Sequence, residues 1–249
     1  MEKKPLLFRF IIFILNVFYP KTTIKGWDNL PGEPCVIIGN HTQMHGPICC
    51  ELFLPDNFYT WCAAPMMELK EVPAYAFNDF WSQKPKYAHP FYKLLSYIIA
   101  PISAVLFNSA RTIPVFRDSR VMTTFRKSLK NLQGGKNIVI FPEFDKKYNN
   151  ILYDFQTGFT DIARLYHKQT GKDLSFVPLY IAPTLKEMHF GKPVKFSADA
   201  QPKEEKERVR RYLMDEITEI AINLPPHTVV PYRNIPKKYY PKNTPKELS

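Results

Sequence analysis

The chain has 249 residues, 45% of them hydrophobic, which is enough to bury a substantial core in one large α/β domain. With 34 Lys and Arg against 23 Asp and Glu, its formal charge is +11. The surface should therefore attract an anion, whether a bilayer, a phosphorylated metabolite or nucleic acid. Four cysteines, Cys35, Cys49, Cys50 and Cys62, include an adjacent pair, a poor disulfide framework that fits a reducing cytoplasm better.

In chain order, the first element is the apolar stretch Leu6 to Tyr19. It follows Met-Glu-Lys-Lys-Pro like the core of a signal peptide, but no small-residue cleavage site comes after it. Arg9 and Asn16 interrupt it and Pro20 ends it, short of the roughly 20 residues that cross a bilayer. Residues 1–24 are therefore expected as a helical segment lying in the membrane interface, with a core helix capping the domain as the alternative. Cys35–Ile38 reads as a buried strand. Residues 59–107 are crowded with aromatics and prolines, among them Trp61, Phe80, Trp81, Phe91 and Tyr97. Such density suits an apolar groove or membrane contact, or else the core of an inserted helical layer.

Ile113–Phe116 is a second strand. After Asp118 and Ser119, Val121, Met122, Phe125, Leu129 and Leu132 recur at helical spacing until Gly134-Gly135. A third strand, Asn137–Phe141, leads to a helix from about Gly158 to Gly171 and then to the strand Ser175–Ile181, whose internal Pro178 marks a special position. Residues 203–224 form a charged helix whose Val209, Leu213, Ile217, Ile220 and Leu224 can dock on a sheet. Strands separated by helices imply an α/β fold with a mainly parallel central sheet flanked by helices, one domain over 1–224. Residues 225–249 are basic and rich in Pro and Tyr, a tail that wraps the domain or is partly disordered.

Three strand ends carry chemistry. The first gives Gly39-Asn40-His41-Thr42-Gln43-Met44-His45-Gly46-Pro47, the second Arg117, the third Phe141-Pro142-Glu143. The tips of parallel strands are where α/β proteins place catalytic groups. In this order the segments resemble the glycerolipid acyltransferase family, whose lysophosphatidate acyltransferases show an Asn-His-x4-Asp block, a block ending in Arg, a Phe-Pro-Glu-Gly block and a Val-Pro block, here Val177-Pro178. Lys25–Pro31 resembles the family's entry segment, Asp154–Gly158 its lysine- and glycine-bearing turn, and Phe190–Pro193 its closing strand, so the likeness spans roughly residues 5 to 195.

The resemblance implies a glycerol-3-phosphate acyltransferase-like fold. It implies transfer of a fatty acyl group from acyl-CoA or acyl carrier protein to a hydroxyl of a lysophospholipid-like acceptor, with no cofactor beyond that co-substrate. His41, near its unperturbed pKa, would be the general base. Asn40, Arg117, Phe141, Pro142, Glu143 and Lys146 would line the substrate site, Arg117 on the acceptor's phosphate and Glu143 orienting the acceptor or its loop, with Lys146 and Lys147 adding positive charge. The partners expected are membrane lipid at an anionic bilayer surface and the acyl carrier, not nucleic acid, at the cytoplasmic side of the membrane in a peripheral or monotopic manner.

The pattern breaks at Gly46, where the family has its aspartate. In the serine-protease triad, losing the carboxylate that orients the histidine costs about 10⁴-fold. Asp145 or Glu51 is then expected to reach the imidazole, Asp145 preferred for its strand-end loop, or His45 joins a modified relay. Otherwise the chain is an inactive acyltransferase-fold protein that binds lipid. Phe144 and Gln156 also replace the family's glycine and lysine. A metal site of His41 and His45 with Cys49, Cys50 or Glu51 is disfavoured, because Gly46-Pro47 places both histidines ahead of a helix rather than on one of its faces. A Cys–His nucleophile pair is disfavoured because Cys49 and Cys50 lie in an apolar run.

Overall fold

The computed structural model describes residues 4–82 and 84–244. In chain order the principal elements are α1 (Leu6–Phe18), β1 (Thr23–Lys25), β2 (Val36–Gly39), α2 (His45–Phe53), β3 (Phe58–Ala63), α3 (Val72–Ala76), α4 (His89–Ser109), β4 (Thr112–Val115) and α5 (Val121–Gln133). They continue with β5 (Asn137–Ile140), β6 (Glu143–Lys147), β7 (Tyr153–Phe155), α6 (Asp161–Thr170), β8 (Ser175–Ala182), β9 (Glu187–Phe190), β10 (Val194–Lys195) and α7 (Pro202–Asn223). Among the described residues the chain forms two compact units, residues 4–19 with 60–126 and residues 20–59 with 127–244.

The second unit carries the sheet order β1-β9-β8-β2-β5, with β10 antiparallel to β8. The pairs β1/β9, β2/β8 and β2/β5 are parallel, and β8/β9 is antiparallel. This is a mainly parallel sheet flanked by helices, as the sequence pattern implies. Strands β2 and β8 are buried at every position, which is why they read as unbroken apolar runs rather than alternating ones. Helix α7 docks on β8 through Val209, Leu213, Met214, Ile217 and Ala221, while Ile220 and Leu224 are only partly buried.

Pro178 stands in the middle of this buried sheet, paired with Ile38, where a proline is ordinarily excluded. The neighbour on its other side is broken at that point, since β9 ends at Phe190 and β10 begins at Val194. The Pro178 carbonyl accepts from the Gly191 N–H at 2.8 Å. Its missing N–H therefore faces the break between two short strands, and no ladder bond is lost.

In the first unit, Thr60 to Ala63 of β3 run parallel to Thr112–Val115 of β4. The crowded stretch 59–107 is β3, α3, a π-helical turn at Phe77–Trp81 and the 21-residue helix α4. Ser96, Ala100 and Ser103 make the buried stripe of α4, small enough for close approach to Val72 and Ala76 of α3. Helix α1 lies on α4 with Phe8, Ile11, Ile12 and Leu15 turned inward.

Candidate functional site

The site grows out of the end of β2. Asn40, 2% exposed, takes both main-chain groups of Ile181 with its side chain: Nδ2 donates to the carbonyl at 3.0 Å and Oδ1 accepts from the N–H at 2.7 Å. That clamp ties the tip of β2 to β8 and fixes where His41 leaves the sheet. Its role is thus to hold the chain in place.

Past His41 the backbone is strained. Thr42 and Gln43 both adopt the left-handed region, φ 46° and 56°, a costly conformation for a β-branched residue. The Thr42 hydroxyl is buried with no hydrogen-bond partner among the described residues. The turn closes through His45 N–H to the Thr42 carbonyl at 3.1 Å and Gly46 N–H to the His41 carbonyl at 3.2 Å. So tight is it that a Cβ on Gly46 would stand 2.5 Å from the His41 carbonyl oxygen and 3.1 Å from the Phe141 ring. No side chain, an aspartate included, fits at 46 without moving the loop.

Glu143, at the start of β6 and 6% exposed, grips this loop from below. Its Oε2 accepts from the His41 N–H at 2.6 Å and its Oε1 from the Tyr153 N–H at 2.9 Å. Burial pushes the carboxyl up to about 7, and the two N–H bonds oppose that rise. Both oxygens thus serve main-chain donors of the His41 loop and β7.

The His41 imidazole sits between two aromatic edges, Phe141 at 5.4 Å and 71° and Tyr232 at 5.9 Å and 89° between centroids and planes. Burial pushes its pKa down to about 4, opposed by hydrogen bonding to the Gln43 backbone. The expectation of a near-ordinary histidine pKa is corrected here: an apolar enclosure penalises the imidazolium, so the ring is neutral at physiological pH. Among the described residues no carboxylate is hydrogen-bonded to this ring.

Asp145 is turned elsewhere. It is 58% exposed and pairs with Arg233 Nε at 2.7 Å, because β6 loses its regular register between Glu143 and Lys147 and leaves Asp145, Lys146 and Lys147 facing solvent. Lys146 reaches Asp154 at 3.3 Å, and Asp154 also pairs with Arg210 of α7. His45 opens α2, and burial lowers its pKa, with Lys237 adding to the effect. The Pro142 carbonyl accepts from the Gln156 N–H at 3.0 Å. Arg117 belongs to the first unit, exposed just past β4, where it opposes the burial-driven rise of the Asp79 carboxyl.

Among the described residues no group of three His, Cys, Asp or Glu side chains is placed to hold a metal. Burial pushes the Cys35 and Cys62 thiols up to about 12, so they stay protonated and inert. Tyr232, Arg233, Lys237 and Tyr240, beyond the sequence-expected site residues, also reach this loop or its neighbours. The Gln43 side chain donates to the Arg233 carbonyl at 3.1 Å and to the Tyr240 hydroxyl at 2.9 Å. Their only signal in sequence is the interleaving of tyrosine and basic residues after Pro225.

No protein-family model matches the chain, and no curated protein sequence matches it. Among solved structures, the 1-acyl-sn-glycerophosphate (LPA) acyltransferase PlsC from Thermotoga maritima is similar over 90% of this chain and 86% of that one, with a TM-score of 0.48 and 11% sequence identity. At that identity no residue role passes from one chain to the other.

Proposed function

We propose that this protein is an acyltransferase that moves a fatty acyl group from acyl-CoA or acyl carrier protein to a hydroxyl of a lysophospholipid-like acceptor. The observation that carries the reading is a neutral imidazole, His41, held at the tip of a buried parallel strand on a strained loop that Glu143 grips by its main chain. His41 takes the hydroxyl proton as the acceptor oxygen attacks the thioester carbonyl. The tetrahedral adduct then expels the thiolate, which recovers the proton from the imidazolium.

The membrane is the surface from which the acceptor is drawn. Helix α1 leaves Leu6, Phe10, Phe13, Val17 and Phe18 exposed, and α4 leaves Phe91, Leu94, Tyr97 and Ile98 exposed, a density of apolar side chains that suits a bilayer interface. Lys86–Ser109 is long and apolar enough to cross a membrane by length and composition, whereas α1 with 13 residues is too short. We assign both helices to one leaflet, since the buried Ser96–Ser103 stripe leaves α4 only one face for lipid.

The test is a radiolabelled palmitoyl-CoA assay against lysophosphatidate and other lysophospholipids in detergent micelles, comparing the wild type with His41→Ala. Turnover by the wild type and a loss of about 10²- to 10⁴-fold in the variant are expected. Equal turnover by both would remove His41 as base. Lysolipid binding without turnover would make the chain a lipid-binding member of the same architecture.

A further inference from the structure

The segment after α7 is a strap fastened at both ends. At its start the His227 ring lies between the Tyr180 hydroxyl at 2.7 Å and the Pro225 carbonyl at 2.8 Å, 4% exposed. At its end Asn243, 3% exposed, donates to the carbonyls of Ala221 and Leu224 at the C-terminal end of α7, at 2.8 and 3.2 Å, and accepts from the His227 N–H at 2.9 Å. A bridge between Thr228 and Lys242, with Val229 N–H to the Pro241 carbonyl at 2.9 Å, zips the two ends together.

What this closed loop presents between its ends is laid on the His41 turn. Tyr232 packs on both the His41 ring and Tyr153, 5.6 Å away. Arg233 pairs with Asp145, and Gln43 is bonded to both limbs of the loop, at Arg233 and Tyr240. A neutral imidazole can rotate and exchange tautomers unless something fixes its plane; among the described residues the Gln43 backbone is hydrogen-bonded to this ring and no carboxylate is. One such bond leaves the ring free to turn about it, and two aromatic rings packed edge-to-face with the imidazole restrict that turn, one of them from the strap. Edge-to-face packing is directional, so losing either ring loosens the plane of the imidazole about its Gln43 bond.

We propose that the strap over residues 227–243 is a working part of the His41 site, with Tyr232 the positioning residue that, together with the Gln43 backbone bond and Phe141, holds the imidazole plane where no acid partner does. The proposal rests on the reading of His41 as the base. It also makes Asp145 and Gln43 strap anchors, with Arg233 and Tyr240 as their counterparts. The charged and titratable groups around the ring are Glu143 on its main chain, His45 on α2, Asp145 and Tyr153 on the hairpin, and Arg233 and Lys237 on the strap.

The deciding measurement needs no substrate. With ¹⁵N-labelled histidine in the full chain, NMR reports the His41 tautomer and titration directly, and His41→Ala assigns its signals. The wild type and Tyr232→Phe should show one tautomer and a neutral ring well below pH 6. Tyr232→Ala and the bulkier Tyr232→Leu should both show mixed tautomers, and in Tyr232→Ala, which opens the ring to water, the midpoint should move up towards the ordinary value near 6.5. In the palmitoyl-CoA and lysophosphatidate assay the Ala and Leu variants should lose on the order of 10- to 100-fold in kcat with KM nearly unchanged, and Phe should restore it.

If His41 shows the same single tautomer in Tyr232→Leu as in the wild type, the proposal is overturned. Should Tyr232→Ala fail to fold, that Leu comparison decides. Should His41→Ala keep full turnover, the catalytic reading falls, while the ring measurement still judges the strap.

Discussion

At Gly46 the difference from the acyltransferase pattern has a steric cause, and it changes what substitution can do there. Placing aspartate at this position to supply the absent acid looks, from sequence, like a restoration. The His41 carbonyl oxygen at 2.5 Å from a Cβ, and the Phe141 ring beside it, leave no room for one. Gly46→Asp must push the carbonyl that accepts the Gly46 N–H, and so must open the turn that carries His41. Gly46→Ala meets the same two neighbours without adding charge. Both variants should lose stability by about 1–3 kcal/mol in urea titration, the usual cost of forcing volume into a packed site, and neither should gain activity. A Gly46→Asp protein as stable as the wild type and more active would mean that the turn opens without penalty. The same contact explains how glycine and strain coexist here: the left-handed Thr42 and Gln43 bring the start of α2 back onto the end of β2, closer than any side chain allows.

Between the His41 loop and strand β6 the coupling is of opposite titrations. Glu143 has its pKa raised to about 7, so it takes up a proton on folding and its contribution, complete at low pH, is lost as pH rises through 7. His41 has its pKa lowered to about 4, so it releases a proton on folding and its contribution, complete above about 6.5, is lost as pH falls through 4. Between pH 4.5 and 6.5 the two slopes oppose each other, and this pair should leave the stability of the wild type nearly flat. Removing one partner uncovers the other. His41→Ala should grow less stable as pH rises across that window and Glu143→Gln more stable, each by roughly 1 kcal/mol per pH unit. Parallel urea titrations at pH 4.5, 5.5 and 6.5 check it, and two variants with slopes of the same sign would sink it.

The elements that make this coupling were unequally readable. Strands β2, β5 and β8 announce themselves as apolar runs, and α5 ends where Gly134-Gly135 follows its last apolar residue, because burial and capping are local signals. Hairpin β6/β7 does not, since Glu143-Phe-Asp-Lys-Lys147 has no apolar alternation and its one buried acid is satisfied by chain folded from elsewhere. Likewise β3 reads as part of an aromatic cluster until β4, some fifty positions on, supplies its partner. His41, Asn40 and Glu143 were legible by their order along the chain. Tyr232 was not, because its meaning lies in a contact with a residue 191 positions earlier, and nothing in the spacing of a Pro- and Tyr-rich segment encodes that contact.

For the molecule as a whole, the proposed membrane reading must account for both a net charge of +11 and an exposed apolar face. On that reading an anionic bilayer would satisfy both, because basic groups gain at headgroups while aromatic and aliphatic side chains enter the acyl boundary. Within the first unit, Phe10, Phe13, Phe91 and Leu94 are each more than 60% exposed, and Lys4 and Lys93 lie over the rings of Phe8 and Phe77, where they can reach headgroups. The protein should co-sediment with vesicles of phosphatidylcholine containing phosphatidylglycerol, and more weakly with phosphatidylcholine alone. Phe13→Asp with Leu94→Asp should release it from both vesicle types without altering the circular dichroism, since neither side chain supports the core. Raising salt to 0.5 M should remove only the part owed to charge, as the Debye length falls below about 5 Å. Retention of the double variant on neutral vesicles would place the lipid contact elsewhere on the surface, and release of the wild type by salt alone would reduce the apolar face to a bystander.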